Sequence, residues 1–399
     1  MVWNSYLKVV AKDGGAGIDR ESIGMFNESM VDNLYKLWNR MASGSYFPSP
    51  VRTVLIPKKQ GGQRPLGIPT VGDRIAQGVV KDYLEPGMEG IFHPNSFGYR
   101  PGRSAHDALV QCQKNCNRYE WVIDVDIKGF FDNISHSILM RLLQQHTQEK
   151  WVLMYIRRWL EAGVEQEDGS IVPRIKGTPQ GGVISPLLAN LYLHHAFDKW
   201  MEVNYSQNPF ERYADDIIIH CHSKEEAEQL LVQLIKRMEE YELTLHPGKT
   251  KLVYCRNYRR TERHEHESFT FLSYSFQPRM LRDKFGRKVY LAFGGAISSR
   301  AKASIRKAIR EVFNPRWTER TLEGFAKQLN PKIRGWINYY TRFYRQEALA
   351  VFHYLNELIR KWISNKYKLR SQQLVTAQYR TIQTAHRLLF YHWSQGIRA

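Results

Sequence analysis

The sequence has little of what a secreted or membrane-embedded protein would need. Its 399 residues include only four scattered cysteines, too few for a disulfide framework, so we expect a reducing cytoplasm. No apolar run approaches the roughly 18 residues that a membrane-spanning helix requires. The first residues, MVWNSYLKVVAKD, lack the basic start and long apolar core of a signal peptide. We therefore expect neither secretion nor membrane insertion.

Several common functional patterns are missing as well. The Gly61-Gly62 turn lacks the GxxxxGK[ST] spacing of a phosphate-binding loop. Cys112 and Cys116 have helical spacing but no two further ligands, which argues against a tetrahedral zinc site. There is no internal repeat, low-complexity tract or long Gly/Ser linker. What is present, 43% hydrophobic and 24% charged residues over 399 positions, predicts two or three folded domains.

The positive charge of the chain is concentrated towards one end. The formal net charge is +19. Residues 1–278 contain 33 Lys and Arg and 33 Asp and Glu, whereas residues 279–399 contain 25 Lys and Arg and only six Asp and Glu. Because these cations are interleaved with Trp, Tyr, Phe and Leu, we expect the segment to fold rather than form a solubilising tail. The asymmetry favours nucleic acid as the partner, with an anionic membrane surface as the alternative.

Hydrophobic periodicity predicts a mixed α+β body followed by a basic helical segment. Strands are predicted over residues 51–57, 66–68, 119–127, 250–255 and 269–276, with a hairpin over 212–220. Helices are predicted over residues 20–45, 74–84 with a stop at Pro86-Gly87, 136–146, 151–162, 187–200, 225–241 and from about 299 onward. In the last segment, one helix face is apolar (Ile305, Ile309, Val312, Phe313) and the rest is basic (Arg306, Lys307, Arg310).

Two segments place carboxylates beside apolar strands. Alternation in residues 121–127 puts Ile and Val on a core face and Asp124 and Asp126 on the opposite face, while Asp215 and Asp216 lie at the tip of the predicted hairpin. Burying uncompensated carboxylates is costly, so these acids are either solvated or share a cation. Hard oxygen ligands favour Mg²⁺ or Mn²⁺, and two such ions about 4 Å apart support phosphoryl or nucleotidyl transfer.

Short sequence blocks occur along the chain in a characteristic order. They are IPKK (56–59) with RPLGIPT (64–70), SFGYRPGRS (96–104), DIKGFFD (126–132), GTPQGGVISP (177–186), YADD (213–216), LHPGKTK (245–251), FTFLSY (269–274) and RGWINYY (334–340). In order and spacing they resemble reverse transcriptases, and more narrowly the reverse transcriptase/maturase proteins encoded by group II introns. The likeness covers essentially the whole chain, with the last block similar to the maturase thumb, or X domain.

The resemblance implies an α+β right-hand polymerase, with fingers, an antiparallel palm sheet and an all-α basic thumb. Residues 1–118 would form the N-terminal extension and fingers, 119–278 the palm with part of the fingers, and 279–399 the thumb. It implies an RNA-directed DNA polymerase that also binds its intron RNA to assist splicing and mobility. The alternatives are a free-standing reverse transcriptase in DNA repair or antiphage defence, and an RNA-splicing chaperone without polymerase activity.

The resemblance also implies roles for individual residues. The catalytic carboxylates and metal ligands would be Asp126, Asp215 and Asp216, holding two Mg²⁺ ions or Mn²⁺ in their place; Asp124 precedes the motif position and is not expected to be a main ligand. The nucleotide-binding residues would be Arg52, Lys58, Arg64, Phe131, Gln180 and Lys249. Among these, Phe131 would be a steric gate against a 2′-hydroxyl, while the neighbouring Phe130 would point into the core. Lys251 lies two residues after Lys249, on the same face of the predicted strand.

The implied partners are nucleic acids and nucleotides: structured intron RNA, an RNA template, a DNA primer or target DNA, and dNTPs. In the thumb, the implied RNA- or DNA-binding residues are Arg306, Lys307, Arg310, Arg334, Trp336, Tyr339 and Tyr340. We expect a cytoplasmic, bacterial-type protein that associates with the nucleoid when it acts on DNA, and a homodimer remains open. One departure from the family is Ser273, which occupies a position near the primer grip where Gly is usual.

Overall fold

The computed structural model describes residues 1–57, 63–166, 168–282 and 287–397, and of Arg64 and Arg282 it describes the backbone alone. The helices are α1 Val2–Val10, α2 Ile23–Glu28, α3 Met30–Ala42, α4 Val71–Glu89, α5 Ala105–Arg118, α6 Phe130–Asn133, α7 His136–Gln144, α8 Lys150–Glu161, α9 Ser185–Leu193, α10 Lys199–Asn204, α11 Lys224–Glu240, α12 Ser299–Val312, α13 Leu322–Tyr340, α14 Arg345–Leu349, α15 His353–Tyr367, α16 Gln372–Ala385 and α17 Tyr391–Ser394. The strands are β1 Val51–Pro57, β2 Gln63–Ile68, β3 Trp121–Asp126, β4 Val164–Glu165, β5 Ile171–Val172, β6 Phe210–Tyr213, β7 Asp216–Cys221, β8 Lys251–Tyr254, β9 Phe269–Phe271, β10 Tyr274–Arg282 and β11 Val289–Ile297. A π-helical turn, His194–Asp198, joins α9 to α10.

The chain forms two units, each built from two chain segments. The first unit comprises Met1–Ala108 and Ile123–Leu252, and the second comprises Leu109–Val122 and Val253–Ala399. The boundaries predicted between fingers, palm and thumb concern a finer division and stay a prediction. No helix in the described part of the chain is long and apolar enough to cross a membrane.

A four-stranded sheet with the order β6-β7-β3-β8 positions the acidic residues of the first unit. Strands β6 and β7 form an antiparallel hairpin in which Tyr213 pairs with Asp216. After Asp216 every residue of β7 is buried, as expected for a strand that is covered on both faces. Helix α11 packs against β7. The α+β architecture with antiparallel sheets confirms the predicted fold class.

A second sheet of the first unit has the order β2-β1-β4-β5. Strands β1 and β2 pair antiparallel from Arg52 opposite Ile68 to Pro57 opposite Gln63. Helix α4 follows β2 directly, and the Thr70 side chain caps it by accepting the Asp73 N–H. The predicted strand over 51–57 is confirmed, and β2 begins three residues before the predicted 66–68.

The end of α4 corrects the prediction of a helix stop at Pro86-Gly87. The helix continues through Pro86 to Glu89. A proline within a helix removes the hydrogen bond to the carbonyl four residues earlier, which tends to end the helix. Here the last turn buries Met88, so apolar packing offsets the missing bond.

The single strand predicted over 269–276 is also corrected, because the chain reverses within it. Strands β9 and β10 pair antiparallel, with Phe271 opposite Tyr274, so Leu272 and Ser273 form a two-residue turn. Both have positive φ, 48° and 69°, as in a type I′ hairpin turn. Similarly, the helix predicted over 20–45 is divided at Ser29 into α2 and α3.

The second unit combines the sheet β11-β10-β9 with helices α12 to α17. The predicted amphipathic helix after residue 299 is confirmed, since Ile305, Ile309 and Phe313 are buried. They join an apolar core with residues of α13, α15 and α16. Helical structure begins only at Ser299, because residues before it form the β10–β11 hairpin.

The Ser273 turn makes a testable prediction about stability. A left-handed conformation costs a non-glycine residue about 1–2 kcal/mol. The Ser273 side chain also acts on the Tyr340 hydroxyl, where it opposes the rise in pKa that burial causes, as expected of a hydrogen bond worth about 1 kcal/mol. Ser273→Ala should therefore lower the melting temperature, since the strain stays and the bond is lost. Ser273→Gly removes both and should melt close to wild type. Thermal unfolding of the three proteins checks this, and an alanine variant as stable as wild type would contradict it.

Candidate active site

The acidic residues converge on one edge of the β6-β7-β3-β8 sheet. Asp126 is the last residue of β3, and Asp216 is the first residue of the neighbouring strand β7. Asp215 directly precedes Asp216, in the turn that joins β6 to β7, and the charges of both Asp215 and Asp126 act on Asp216. Val125 and Ile127, on the opposite face of the strand, are buried. The predicted alternation is therefore confirmed, and separate chain segments bring the three acids together.

The environment of these acids opposes their ionisation. Surrounding protein removes hydration and raises the pKa of Asp216 to about 7, with the charges of Asp215 and Asp126 adding to the effect. Burial likewise raises the pKa of Asp124 to about 7, helped by Asp216 and Asp126 and opposed by Lys251. Four mutually repelling carboxylates therefore share one small region.

Little positive charge from the protein compensates them. The Lys249 Nζ lies 3.4 Å from Asp126 Oδ2, and Lys251 acts on Asp124. Among the described residues, the oxygens of Asp126, Asp215 and Asp216 do not all lie within 4.8 Å of one another. A set of hard oxygen donors with excess negative charge fits divalent cations such as Mg²⁺. The acidic site is therefore a candidate site for divalent cations.

Phe130 and Phe131 have opposite environments in the short helix α6. The Phe130 side chain is buried, whereas Phe131 is only half-buried. The two rings meet edge to face, with centroids 5.3 Å apart. The burial agrees with the predicted core position of Phe130, and it leaves the Phe131 ring accessible a few residues after Asp126.

The loop 177–182, between β5 and α9, carries Gln180 and hydrogen-bonds to both α6 and β2. Its Thr178 N–H donates to the Phe131 carbonyl at 2.8 Å, and the Gln180 carbonyl accepts the Gly67 N–H at 2.8 Å. The Gln180 side chain donates to Asp132 at 3.3 Å. At Gly181 (φ 124°) a Cβ would lie 2.3 Å from the Gly67 carbonyl oxygen, so this close approach requires glycine. The loop thus places Gln180 beside both α6 and β2.

Of the three fingers cations predicted to bind the nucleotide, the structure describes one side chain, that of Arg52. Arg52 on β1 is half-buried, opposite Ile68 of β2, and its guanidinium donates to the Ala16 carbonyl at 3.2 Å. Arg64 lies on β2, but its side chain is outside the described structure, and Lys58 lies outside the described residues. Their roles stay predictions.

The predicted nucleic-acid residues of the second unit fall into two groups. Four cationic side chains are exposed: Arg306, Lys307 and Arg310 on α12 and Arg334 on α13. Three aromatic ones are partly buried: Trp336, Tyr339 and Tyr340. The Tyr339 hydroxyl donates to the Leu272 carbonyl at 2.9 Å, which supports the β9–β10 turn. The aromatic group therefore has a structural role that sequence reasoning did not foresee.

Sequence reasoning also missed a buried network behind the acidic hairpin. Arg212, fully buried on β6, forms a bidentate pair with Asp198 at 2.7 and 2.5 Å. It also donates to the Asn190 side chain at 2.9 Å and to the Ala214 carbonyl at 3.3 Å. Burial would raise the pKa of Asp198, but the charge and hydrogen bonds of Arg212 outweigh it and hold that pKa below its usual value. The available sequence signal was an arginine directly before the acidic pair of YADD, in the short segment Phe210–Tyr213.

The same network holds the turn that carries Asp215. Ala214 has a positive φ of 56°, a strained conformation for a residue with a Cβ. Asn190, which accepts from Arg212, donates its amide to the Gly98 carbonyl at 2.7 Å. A Cβ at Gly98 would lie 2.4 Å from the Ala214 nitrogen, so only glycine lets the two backbones approach. The turn is thus fixed from both sides by Arg212 and Gly98.

Comparison with known proteins finds two family models that match the chain. Residues 56–276 match the family "Reverse transcriptase (RNA-dependent DNA polymerase)", and residues 302–379 match "Group II intron, maturase-specific domain". The chain is 39% identical over 186 residues to the group II intron-encoded protein LtrA of Lactococcus lactis subsp. cremoris, covering 46% of this chain and 30% of LtrA. It is 37% identical over 194 residues to protein YkfC of Escherichia coli (strain K12), covering 47% of this chain and 50% of YkfC.

The matched segments thus span half or less of the length of these relatives. A solved structure of telomerase from Candida albicans aligns with a TM-score of 0.48 at 12% identity, covering 94% of this chain and 68% of that one. The reverse transcriptase match covers more than half of the chain and includes all the acidic motifs. The chain therefore belongs to the reverse transcriptase family, and its maturase-specific region confirms the predicted resemblance to the proteins encoded by group II introns.

Proposed function

We propose that this protein is an RNA-directed DNA polymerase that also binds intron RNA to assist splicing and mobility. The observation that carries the proposal is the convergence of Asp126, Asp215 and Asp216 at the edge of one sheet. Membership of the reverse transcriptase family and the maturase-specific region support it. Fingers (1–118), palm (119–278) and thumb (279–399) are the proposed working parts.

The three aspartates would hold two Mg²⁺ ions, with Mn²⁺ able to replace them. When bound, the ions activate the 3′-hydroxyl of a primer and neutralise charge on the triphosphate of a dNTP. Phe131, half-buried at the rim, crowds the 2′ position of the incoming sugar. Gln180 would contact the nucleotide from a loop that backbone hydrogen bonds hold beside α6 and β2. Lys249 limits the repulsion around Asp126.

The proposed partners are an RNA template, a DNA primer or target DNA, and structured intron RNA. The exposed cations of α12 and α13 support this, because phosphate contacts from Lys and Arg supply most of the non-specific affinity for nucleic acid. Aromatic residues interleaved with these cations fold into a core, so the charge is displayed on a defined surface. The proposed location is the cytoplasm, at the nucleoid when the protein acts on DNA.

Primer extension tests the proposed function directly. The purified protein, given a DNA primer annealed to an RNA template, dNTPs and Mg²⁺, should produce full-length complementary DNA. Sequencing the RNA that copurifies should recover a group II intron. A folded protein that binds intron RNA without extending any primer would favour the splicing chaperone. Extension without a copurifying intron would favour the free-standing reverse transcriptase.

Phe131 makes a prediction about sugar selection. Phe131→Ala removes the ring that crowds a 2′-hydroxyl, so the preference for dNTPs over rNTPs should fall by about tenfold or more, equivalent to at least about 1.4 kcal/mol. The ratio of kcat/KM for dCTP and rCTP measures it. Phe131→Tyr keeps the ring and should retain the preference. An unchanged ratio in the alanine variant would assign Phe131 to packing alone.

The raised pKa values of Asp216 and Asp124 predict how Mg²⁺ stabilisation depends on pH. In the folded protein these groups titrate near pH 7, well above their unfolded values. Without metal, the folded protein therefore holds protons that the unfolded chain has already lost. The free energy of unfolding falls as the pH rises from the unfolded pKa values of these groups towards about 7. Metal binding requires the ionised form, so millimolar Mg²⁺ should raise the melting temperature more at pH 8 than at pH 6. Calorimetry at both values checks this, with an equal rise contradicting it.

A further inference from the structure

The second unit contains a cavity that the proposed chemistry does not use. Its volume is about 470 Å³. It lies between the C-terminal end of α5, the turn 257–260 that follows β8, and strand β11. The lining residues are Asn117, Arg118, Asn257, Tyr258, Arg259, Arg260, Tyr290, Leu291 and Ala292. We call this cavity the Tyr258 pocket.

The turn that forms one wall of the pocket is held by its backbone and by Asn257. The buried Asn257 side chain accepts the N–H groups of Arg259 and Arg260 at 2.9 and 3.2 Å. The Tyr258 N–H donates to the Leu291 carbonyl of β11 at 2.9 Å. These bonds fix the turn without using the side chains of Tyr258 or Arg259, so the wall is rigid and those two side chains are available.

Arg260 joins the turn to the opposite wall. Its guanidinium donates to the carbonyls of Asn117 at 3.0 Å and Cys116 at 3.3 Å, at the end of α5, and to Cys255 at 3.2 Å. These bonds satisfy carbonyls that the helix end leaves without intrahelical partners. Arg260 therefore links the turn to the end of α5, on the opposite wall of the pocket.

Two aromatic rings and two cations face solvent around this rigid frame. Tyr258 is 54% exposed and Tyr290 is 37% exposed, with their rings edge to face at 6.0 Å. The Arg259 guanidinium lies 5.2 Å from the Tyr258 ring centre. In the described part of the chain, neither Arg118 nor Arg259 forms an ion pair. Exposed rings beside unpaired guanidinium groups are the elements with which proteins bind unpaired bases and their phosphates.

We propose that the Tyr258 pocket binds a single-stranded segment of nucleic acid. One base stacks on the face of one tyrosine ring, and the other ring, which is nearly perpendicular to it, contacts the edge of that base. Adjacent phosphates contact Arg118 and Arg259. A single strand fits because each base inside a duplex is already stacked on its neighbours on both faces. The excess of Lys and Arg in the second unit favours a polyanion over a protein surface. The choice of ligand class rests on the proposed function, whereas the pocket itself does not. Single-stranded RNA and DNA share the required chemistry, so the test includes both.

Photocrosslinking locates the site. The full-length protein is irradiated with short oligouridine carrying 5-iodouracil, and in parallel with the matching deoxyuridine oligomer, without dNTPs or metal. Mass spectrometry should find the crosslink on Tyr258 or Tyr290. Crosslinking of the RNA oligomer alone would assign the pocket to an RNA strand, and of the DNA oligomer alone to a DNA strand. Crosslinks confined to other regions for both oligomers would overturn the proposal.

Affinity measurements with matched variants complete the test. The double variant Tyr258→Ala/Tyr290→Ala should bind the preferred single strand roughly 5- to 150-fold more weakly, whereas Tyr258→Phe/Tyr290→Phe should bind like wild type because stacking needs the ring and not the hydroxyl. Binding of blunt duplex should be unchanged in both, which separates the pocket from the general basic surface. Equal single-strand affinity in the alanine and phenylalanine variants would refute stacking. Since the assay contains neither dNTPs nor metal, absence of polymerase activity would reject the proposed function without affecting this result.

Discussion

Replacing Asp126 or Asp215 with Asn should reduce dNTP incorporation on a primed RNA template by about 1,000-fold or more. Each substitution keeps the size of the side chain but removes a negative charge that the proposed metal ions require, and metal ions contribute several kcal/mol to such transfers. Single-turnover incorporation measures the loss. Asp32→Asn, an equivalent change at an exposed position of α3, serves as the control and should extend primers like wild type.

The stability of the variants shows whether the loss comes from unfolding. Loss of hydration and the neighbouring negative charges oppose ionisation of Asp216, so Asp216→Asn should leave the metal-free protein at pH 8 at least as stable as wild type. A variant at any of the three positions that extends primers at the wild-type rate would remove that residue from the catalytic set. Loss of both activity and stability would instead make these acids structural.

Removing Arg212 should cause a large loss of stability. Arg212→Met leaves Asp198 as a fully buried charge without its bidentate partner, and breaking a buried pair in this way costs about 3–5 kcal/mol. Chemical and thermal unfolding measure this loss. The double variant Arg212→Met/Asp198→Leu removes both charges, so most of the stability should return.

The activity of that double variant shows whether the Arg212 network only stabilises the fold or also positions the turn that carries Asp215. Arg212 also holds Asn190 and the Ala214 carbonyl, and hydrophobic side chains cannot replace those bonds. We therefore expect the double variant to fold but to incorporate dNTPs about tenfold more slowly, with the change in kcat rather than in KM. Full recovery of both stability and kcat would show that the network serves folding alone.

Local features of the site could be predicted from the sequence because short-range rules determine them. Strand alternation placed Asp124 and Asp126 opposite the core, and the YADD block before the apolar run 217–219 predicted a hairpin. Both depend on side chains within a few residues of one another. The family resemblance added the separation of Phe130 from Phe131, which burial in the structure matches.

Features that depend on distant partners could not be predicted. Arg212 resembles any basic residue before an acidic motif until the chain brings Asp198 and Asn190 to it. The role of Gly98 depends on the backbone of Ala214, more than a hundred residues later. In α4, the low helix propensity of proline indicated that the helix stops at Pro86, but the helix continues to Glu89 because Met88 is packed in the core. In each case a tertiary contact, absent from the local pattern, decided the structure.

The divided second unit has a consequence for synthesis on the ribosome. Residues Leu109–Val122 emerge about 130 residues before Val253, where the rest of their unit begins. Because the ribosome adds about 5–20 residues per second, the partners of Gln113, Phe293 and Gly295, are synthesised on the order of ten seconds after it. A fragment starting at Val253 would lack residues 109–122, which include the C-terminal part of α5. Any attempt to express this half alone must supply residues 109–122 as a fused or added peptide.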